Sequence, residues 1–69
     1  MIEIFKSNIK KKKQAKEFKK ECLYKYPNYL ITFDLEDCDK IVRVEAKSLN
    51  IKGIMDIAHN SNIGLQILE

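Results

Sequence analysis

Residues 29–45 have the sequence YLITFDLEDCDKIVRVE, in which Tyr29, Ile31, Phe33 and Leu35 occupy every second position. The alternation resumes in residues 41–45 after a polar cluster at residues 36–39. A period of two is typical of half-buried β-strands, and a short polar cluster between two such runs is typical of a tight turn. This stretch therefore predicts two strands of a hairpin, around which the remaining elements are arranged.

A strand and a helix are predicted before the hairpin. Residues 1–7 alternate, with Ile2 and Ile4 on one side of a strand and Phe5 on the other. From about residue 11 to residue 26, steps of three and four predict a helix whose buried face consists of Ala15, Phe18, Cys22 and Tyr26. Ser7 or Asn8 is expected to cap this helix, because short polar side chains accept hydrogen bonds from the first helical N–H groups.

A second helix and a last strand are predicted after the hairpin. Ser48 or Asn50 is expected to cap a helix that runs to about Asn60, with an inward face of Ile51, Ile54, Met55 and Ala58. Gly53 weakens this helix, since glycine costs up to ~1 kcal/mol relative to alanine. Residues 63–68 alternate again and predict the final strand.

The order β-α-β-β-α-β predicts an α+β, ferredoxin-like sandwich. Four antiparallel strands form one sheet, both helices cover one face, and the first and third strands are central. Residues 1–69 are expected to form a single domain. The predicted core face of the sheet consists of Ile2, Ile4, Ile31, Phe33, Val42, Val44, Ile63, Leu65 and Ile67.

Composition narrows the class of protein. The chain is 45% hydrophobic and 33% charged, which favours a soluble globular domain over a disordered one. Its apolar runs are far shorter than the ~20 residues that span a bilayer, so we expect no membrane segment. Two cysteines and a strand-like start without a secretory leader predict a reduced, cytoplasmic protein.

The hairpin letters ITFDLEDCDKIVRVE, the element order and a length near seventy residues resemble the heavy-metal-associated domains of copper chaperones and metal-pumping ATPases. Specifically, the chain resembles small uncharacterised bacterial proteins of that fold without the metal motif. The resemblance implies a Cys-x-x-Cys pair between the first strand and the first helix, where thiolates hold a soft metal ion. Residues 7–13 have the sequence SNIKKKK instead, without cysteine, methionine or histidine. We therefore expect no metal at this loop, and no cofactor.

Charge suggests one alternative function. Residues 1–26 carry nine lysines against three acids, whereas the remainder of the chain is net acidic. Lys10, Lys11, Lys12 and Lys13 lie at a predicted helix start, where free N–H groups and the helix dipole favour anions. A solvated, lysine-rich helix surface without a ligand is the alternative explanation of the same run. The modest net charge of +3 and the absence of aromatic residues within the run argue against nucleic acid.

A metal site at the hairpin turn is a second alternative. Cys38 lies among Asp34, Glu36, Asp37 and Asp39, and carboxylates at this density suit a hard cation. The spacing lacks the glycine of a calcium loop, and Asp residues also suit turns because their side chains bond to their own backbone. The turn is therefore interpreted first as structural, with Cys38 as the metal candidate.

The sheet face without helices supplies the leading hypothesis. Phe5, Leu30, Ile41 and Leu68 are predicted to lie on it and to form an apolar patch. Such patches often mark interfaces, so we expect a protein partner or a homodimer. No nucleophile with a base, paired carboxylates or glycine-rich phosphate loop is found, which predicts a non-enzymatic protein-interaction module.

Overall fold

Six short elements organise the protein, and the structure, a computed structural model, describes residues 1–68. They follow the predicted order: β1 (Ile2–Ser7), α1 (Lys12–Lys25), β2 (Leu30–Asp34), β3 (Ile41–Glu45), α2 (Ile51–Asn60) and β4 (Leu65–Ile67). The hairpin of residues 29–45 is confirmed as β2, a turn and β3.

The four strands form one antiparallel sheet in the order β2-β3-β1-β4. β1 and β3 are central and β2 and β4 are edges, as predicted. Both helices pack on one face, since buried α1 and α2 side chains form a single core with those of the sheet. The prediction of an α+β, ferredoxin-like arrangement is confirmed.

The start of α1 differs from the prediction. The residue before the helix is Lys11, in an extended conformation, and its side chain makes no capping hydrogen bond. The side-chain oxygen of Gln14 instead accepts hydrogen bonds from the backbone N–H groups of Lys10 at 2.9 Å and Lys11 at 3.1 Å. The prediction that Ser7 or Asn8 caps the helix is wrong, because both side chains bond to distant backbone groups.

The ends of α2 follow the sequence closely. Asn50 is the cap, and its side-chain oxygen accepts a hydrogen bond from the Gly53 N–H at 2.9 Å. Beyond the helix, Asn62 adopts φ 60, the left-handed conformation that asparagine tolerates at helix ends. Gly53 itself is buried beneath Tyr26, so that a Cβ there would lie 2.0 Å from the tyrosine hydroxyl oxygen.

The two faces of β1 are opposite to the prediction. Phe5 is fully buried and pairs with Val42, and residues paired across antiparallel strands lie on the same face. Ile2 and Ile4 therefore lie on the face without helices, where Ile2 is 56% exposed. Their predicted core positions are wrong, and so is the predicted exposure of Phe5. The buried core consists of Phe5, Ile9, Ala15, Phe18, Cys22, Ile31, Val42, Val44, Ile54, Ala58 and Ile63.

Candidate functional site

The helix-free side of the sheet, called here the open face, presents side chains of all four strands. Strand register and alternation place eleven residues on it: Ile2, Ile4, Lys6, Leu30, Thr32, Asp34, Ile41, Arg43, Glu45, Gln66 and Leu68. Three of the apolar side chains are well exposed: Leu30 at 58%, Ile2 at 56% and Leu68 at 38%. Ile4 and Ile41 are half-buried and border a shallow depression of about 660 Å³.

The structure places three of the four predicted interface residues on one face of the sheet. Leu30, Ile41 and Leu68 lie on the open face, whereas Phe5 lies on the opposite face in the core. Ile2 and Ile4 take the place that sequence reasoning gave to Phe5. The open face therefore carries five apolar residues instead of the four predicted, because β1 contributes two isoleucines. Glu45 lies between Ile2 and Leu30 in the strand register.

The charges of the eleven residues placed on the open face by register are balanced, although Asp37 and Asp39 of the turn also line the depression. Lys6 and Arg43 are opposed by Asp34 and Glu45, whereas the excess of lysine lies on α1 and the segment before it. Since α1 packs on the other face of the sheet, the open face is the nearly neutral side of a basic molecule. Two copies brought together through it keep their lysine-rich helices on outer surfaces.

Hydrogen bonds hold the loop between β1 and α1. The Ser7 hydroxyl donates to the Lys40 carbonyl at 2.7 Å, and the Asn8 side-chain oxygen accepts from the Gly64 N–H at 2.9 Å. Ile9 is fully buried beneath this loop. The loop between β1 and α1 thus contains a core side chain and two structural polar groups.

The lysine run begins α1 as predicted. Lys10, Lys11, Lys12 and Lys13 are all exposed, and the first turn of the helix contains no acidic residue. Gln14 occupies the N–H groups of Lys10 and Lys11, which leaves those of Lys12 and Lys13 directed out of the helix start. Anion binding at this run stays a prediction.

The acidic turn has internal hydrogen bonds of its own. A carboxylate oxygen of Asp37 accepts from the Asp39 N–H at 2.8 Å, and the Lys40 N–H donates to the Asp37 carbonyl at 3.0 Å. Lys40 adopts φ 49, and its ammonium group donates to the Leu35 carbonyl at 3.0 Å. These contacts are those of a folded turn and agree with its structural interpretation.

One possible ligand atom from each of Asp37, Cys38 and Asp39 lies within 4.8 Å of the others, and all three residues are exposed. Exposed acidic groups are common on protein surfaces. Metal binding through Cys38 stays a prediction.

Cys22 belongs to the core, as its helical spacing predicted. Its side chain is fully buried, and burial, with a smaller effect of the Glu21 carboxylate, raises the pKa of its thiol to about 12. A thiol in this setting stays protonated near neutral pH and is a poor nucleophile or metal ligand.

The sequence patterns did not predict a groove that lies between α1 and β2. It has a volume of about 440 Å³ and is lined by Lys12, Ala15, Lys16, Lys19, Phe33, Asp34, Leu35 and Glu36. The three lysines recur at helical spacing, and this spacing could have been recognised in the sequence. Their position beside β2 depends on the tertiary fold, which the spacing alone does not give.

No known family model, curated protein or solved structure matches this chain. Among residues 1–68, no helix has the length and apolar character needed to cross a membrane.

Proposed function

We propose that this protein is a non-enzymatic interaction module that pairs with a second copy of itself through the open face. The carrying observation is the exposure of Ile2, Leu30 and Leu68 on a sheet face that no helix covers. Exposed apolar patches often mark interaction sites in soluble proteins. From the resemblance to heavy-metal-associated domains we carry over the fold but not metal binding, because residues 7–13 lack the Cys-x-x-Cys pair.

Size and charge favour a second copy as the occupant. A stable interface buries about 800 Å² on each partner. That is close to one sixth of the total accessible surface of 5107 Å², and the open face is one of the two broad faces of a two-layer molecule. The strands contribute two positive and two negative side chains to this face, whereas pairing through α1 brings two lysine-rich surfaces together.

Light scattering coupled to size-exclusion chromatography tests this proposal. The wild-type mass is expected to rise from the monomer value of 8.1 kDa towards twice that value as the concentration increases from micromolar to millimolar. The double variant Ile2→Asp/Leu68→Asp is expected to stay monomeric, because carboxylates buried in the interface lose hydration.

The matched control is Tyr24→Asp. Tyr24 is 90% exposed on α1, so a carboxylate introduced there is expected to leave the dimer intact. Circular dichroism spectra identical to wild type establish that the variants are folded. A wild-type mass of 8.1 kDa at every concentration contradicts the proposal.

A further inference from the structure

The edge of β2 offers unpaired backbone groups beside the groove. Met1 and Ala46 exchange two hydrogen bonds, at 2.6 and 3.0 Å, which makes them a hydrogen-bonded pair between β1 and β3. Along an antiparallel strand, successive residues direct their backbone groups to alternate sides. Val44 and Val42 therefore bond to β1, and the residues of β3 that bond to β2 are Ile41, Arg43 and Glu45.

The same alternation fixes which groups of β2 are outward. Leu30, Thr32 and Asp34 are paired with those three residues of β3 and direct their N–H and C=O groups inwards. Ile31 and Phe33 direct theirs away from the sheet, because β2 is an edge strand. Within residues 1–68, no backbone hydrogen bond outside the sheet engages these four groups. A row of donors and acceptors at an exposed edge is a template for one more strand.

The groove beside this edge has an apolar floor and a basic wall. Phe33 and Ala15 line the floor, and Phe33 is held edge-on against Phe18 with ring centroids 6.4 Å apart. Lys12, Lys16 and Lys19 line the α1 side of the groove. The first two are separated by about 6 Å along a helix axis, similar to the ~6.6 Å between same-side residues of a strand.

We propose that the groove between α1 and β2 binds an extended, acidic peptide segment of another protein as a fifth strand. Ile31 and Phe33 supply the backbone hydrogen bonds, the floor takes apolar side chains, and the lysines of α1 pair with carboxylates of the peptide. This mode of recognition obtains affinity from main-chain pairing and specificity from alternate side chains.

The charge pattern restricts the sequence of the peptide. Asp34 and Glu36 line the opposite rim of the groove and repel carboxylates placed on that side. Acidic side chains are therefore favoured on the α1 side of the added strand and disfavoured on the open-face side. A second copy of this chain is a poorer occupant, because two β2 edges set side by side also bring two lysine rows together.

The probe is a blocked eight-residue peptide of sequence Glu-Thr-Val-Thr-Val-Thr-Glu-Thr, in which the glutamates and valines lie on one side of the strand and the threonines on the other. Nuclear magnetic resonance titration and amide hydrogen exchange are measured on the Ile2→Asp/Leu68→Asp variant, in which the proposed dimer is absent. The edge site does not rest on that dimer, so either proposal can fail without the other. Exchange is expected to slow at Ile31 and Phe33, while Thr32, already bonded to β3, is expected to change little.

Two control peptides and two variants complete the test. Replacing two valines by prolines removes backbone donors, and replacing the glutamates by lysines reverses the charge; both changes are expected to abolish binding. Lys16→Glu is expected to weaken binding about threefold to tenfold, since an exposed attraction becomes a repulsion. Lys52→Glu makes the same change on α2, outside the groove, and is expected to leave the affinity within about twofold.

Four outcomes overturn the proposal. Equal binding of the proline peptide excludes strand addition, and equal binding of the lysine peptide excludes the charge pairing. Shifts centred on Ile4 and Arg43 place the peptide on the open face. Protection of Ile31 and Phe33 that rises with protein concentration in the absence of peptide identifies a second copy as the occupant.

Discussion

Replacing Gly53 by alanine is expected to reverse the usual effect of that substitution in a helix. Gly53 lies in the first turn of α2, against the hydroxyl end of the Tyr26 side chain. An added Cβ meets the Tyr26 hydroxyl oxygen at 2.0 Å and the Asn50 side-chain carbon at 3.1 Å. Tyr26 must therefore move, although its ring is stacked on that of Tyr29 with centroids 4.7 Å apart.

The magnitude follows from the contacts that are lost. A stacked aromatic pair contributes about 0.5–1.5 kcal/mol beyond its buried area. The cap that Asn50 makes to the Gly53 N–H contributes about 1 kcal/mol, and a displaced side chain weakens it. Alanine in turn stabilises the helix by up to ~1 kcal/mol relative to glycine. Gly53→Ala is therefore expected to lower the free energy of unfolding by about 1 kcal/mol.

A double-mutant cycle with Tyr26→Leu isolates the cause. Leucine has no atoms at the position of the tyrosine hydroxyl, so in that background Gly53→Ala is expected to be neutral or stabilising by up to ~1 kcal/mol. Urea unfolding followed by circular dichroism at 222 nm measures both steps. With a slope of about 1 kcal/mol/M for a chain of this size, the predicted difference moves the midpoint by roughly 1 M.

The outcome that refutes this reasoning is the same destabilisation in both backgrounds. Such additivity means that the cost comes from the helix start itself rather than from Tyr26. Stabilisation of the wild-type background by Gly53→Ala also refutes it, since the hydroxyl contact then carries no cost.

Phe5→Ala is expected to lower the free energy of unfolding by about 3–5 kcal/mol, enough to unfold a domain of this size. Leu30→Ala on the open face is expected to change it by less than about 0.5 kcal/mol. A folded Phe5→Ala protein with an unchanged melting temperature contradicts the burial of that ring. A thiol reagent at pH 8 is expected to modify Cys38 in the native protein and Cys22 only in denaturant. Because burial raises the pKa of Cys22 from 9.0 to about 12, its contribution to stability is complete below pH 9 and is lost as the pH rises towards 12. Cys22→Ala is expected to flatten that decline, and an unchanged decline excludes Cys22 as its source. Phosphate titration tests the anion prediction, which fails if the amides of Lys10–Lys13 do not shift. The metal prediction fails if Cys38→Ser leaves the metal content of the protein unchanged.

The strand and helix pattern was predictable because local periodicity determines it. The hairpin, the helical face that contains Cys22 and the Asn50 cap all depend on neighbours within a few residues. The central positions of β1 and β3 follow from the element order and the handedness of the crossovers.

The faces of β1 were not predictable in the same way, because both carry large apolar residues. Ile2 and Ile4 compete with Phe5, and a period of two does not choose between them. The pairing of Phe5 with Val42 determines which face of β1 is buried, and this contact joins residues far apart in sequence. Long-range bonds also explain the wrong caps, since Ser7 and Asn8 bond to Lys40 and Gly64 instead of to α1. The candidate sites depend on the same information, because the open face gains Ile2 and Ile4 only once the register is known.

The position of β1 between β3 and β4 has a consequence for the order of folding. Phe5 pairs on one side with Val42 and on the other with Ile67, so β1 gains its last neighbour from the strand that is synthesised after the other three. The β2–β3 hairpin closes over a short loop, but sheet completion requires a far longer loop closure, and non-local pairing of this kind slows folding. Until β4 arrives, one edge of β1 is an unpaired strand next to the core. A nascent chain that stalls before β4 is therefore the form of this protein most exposed to aggregation.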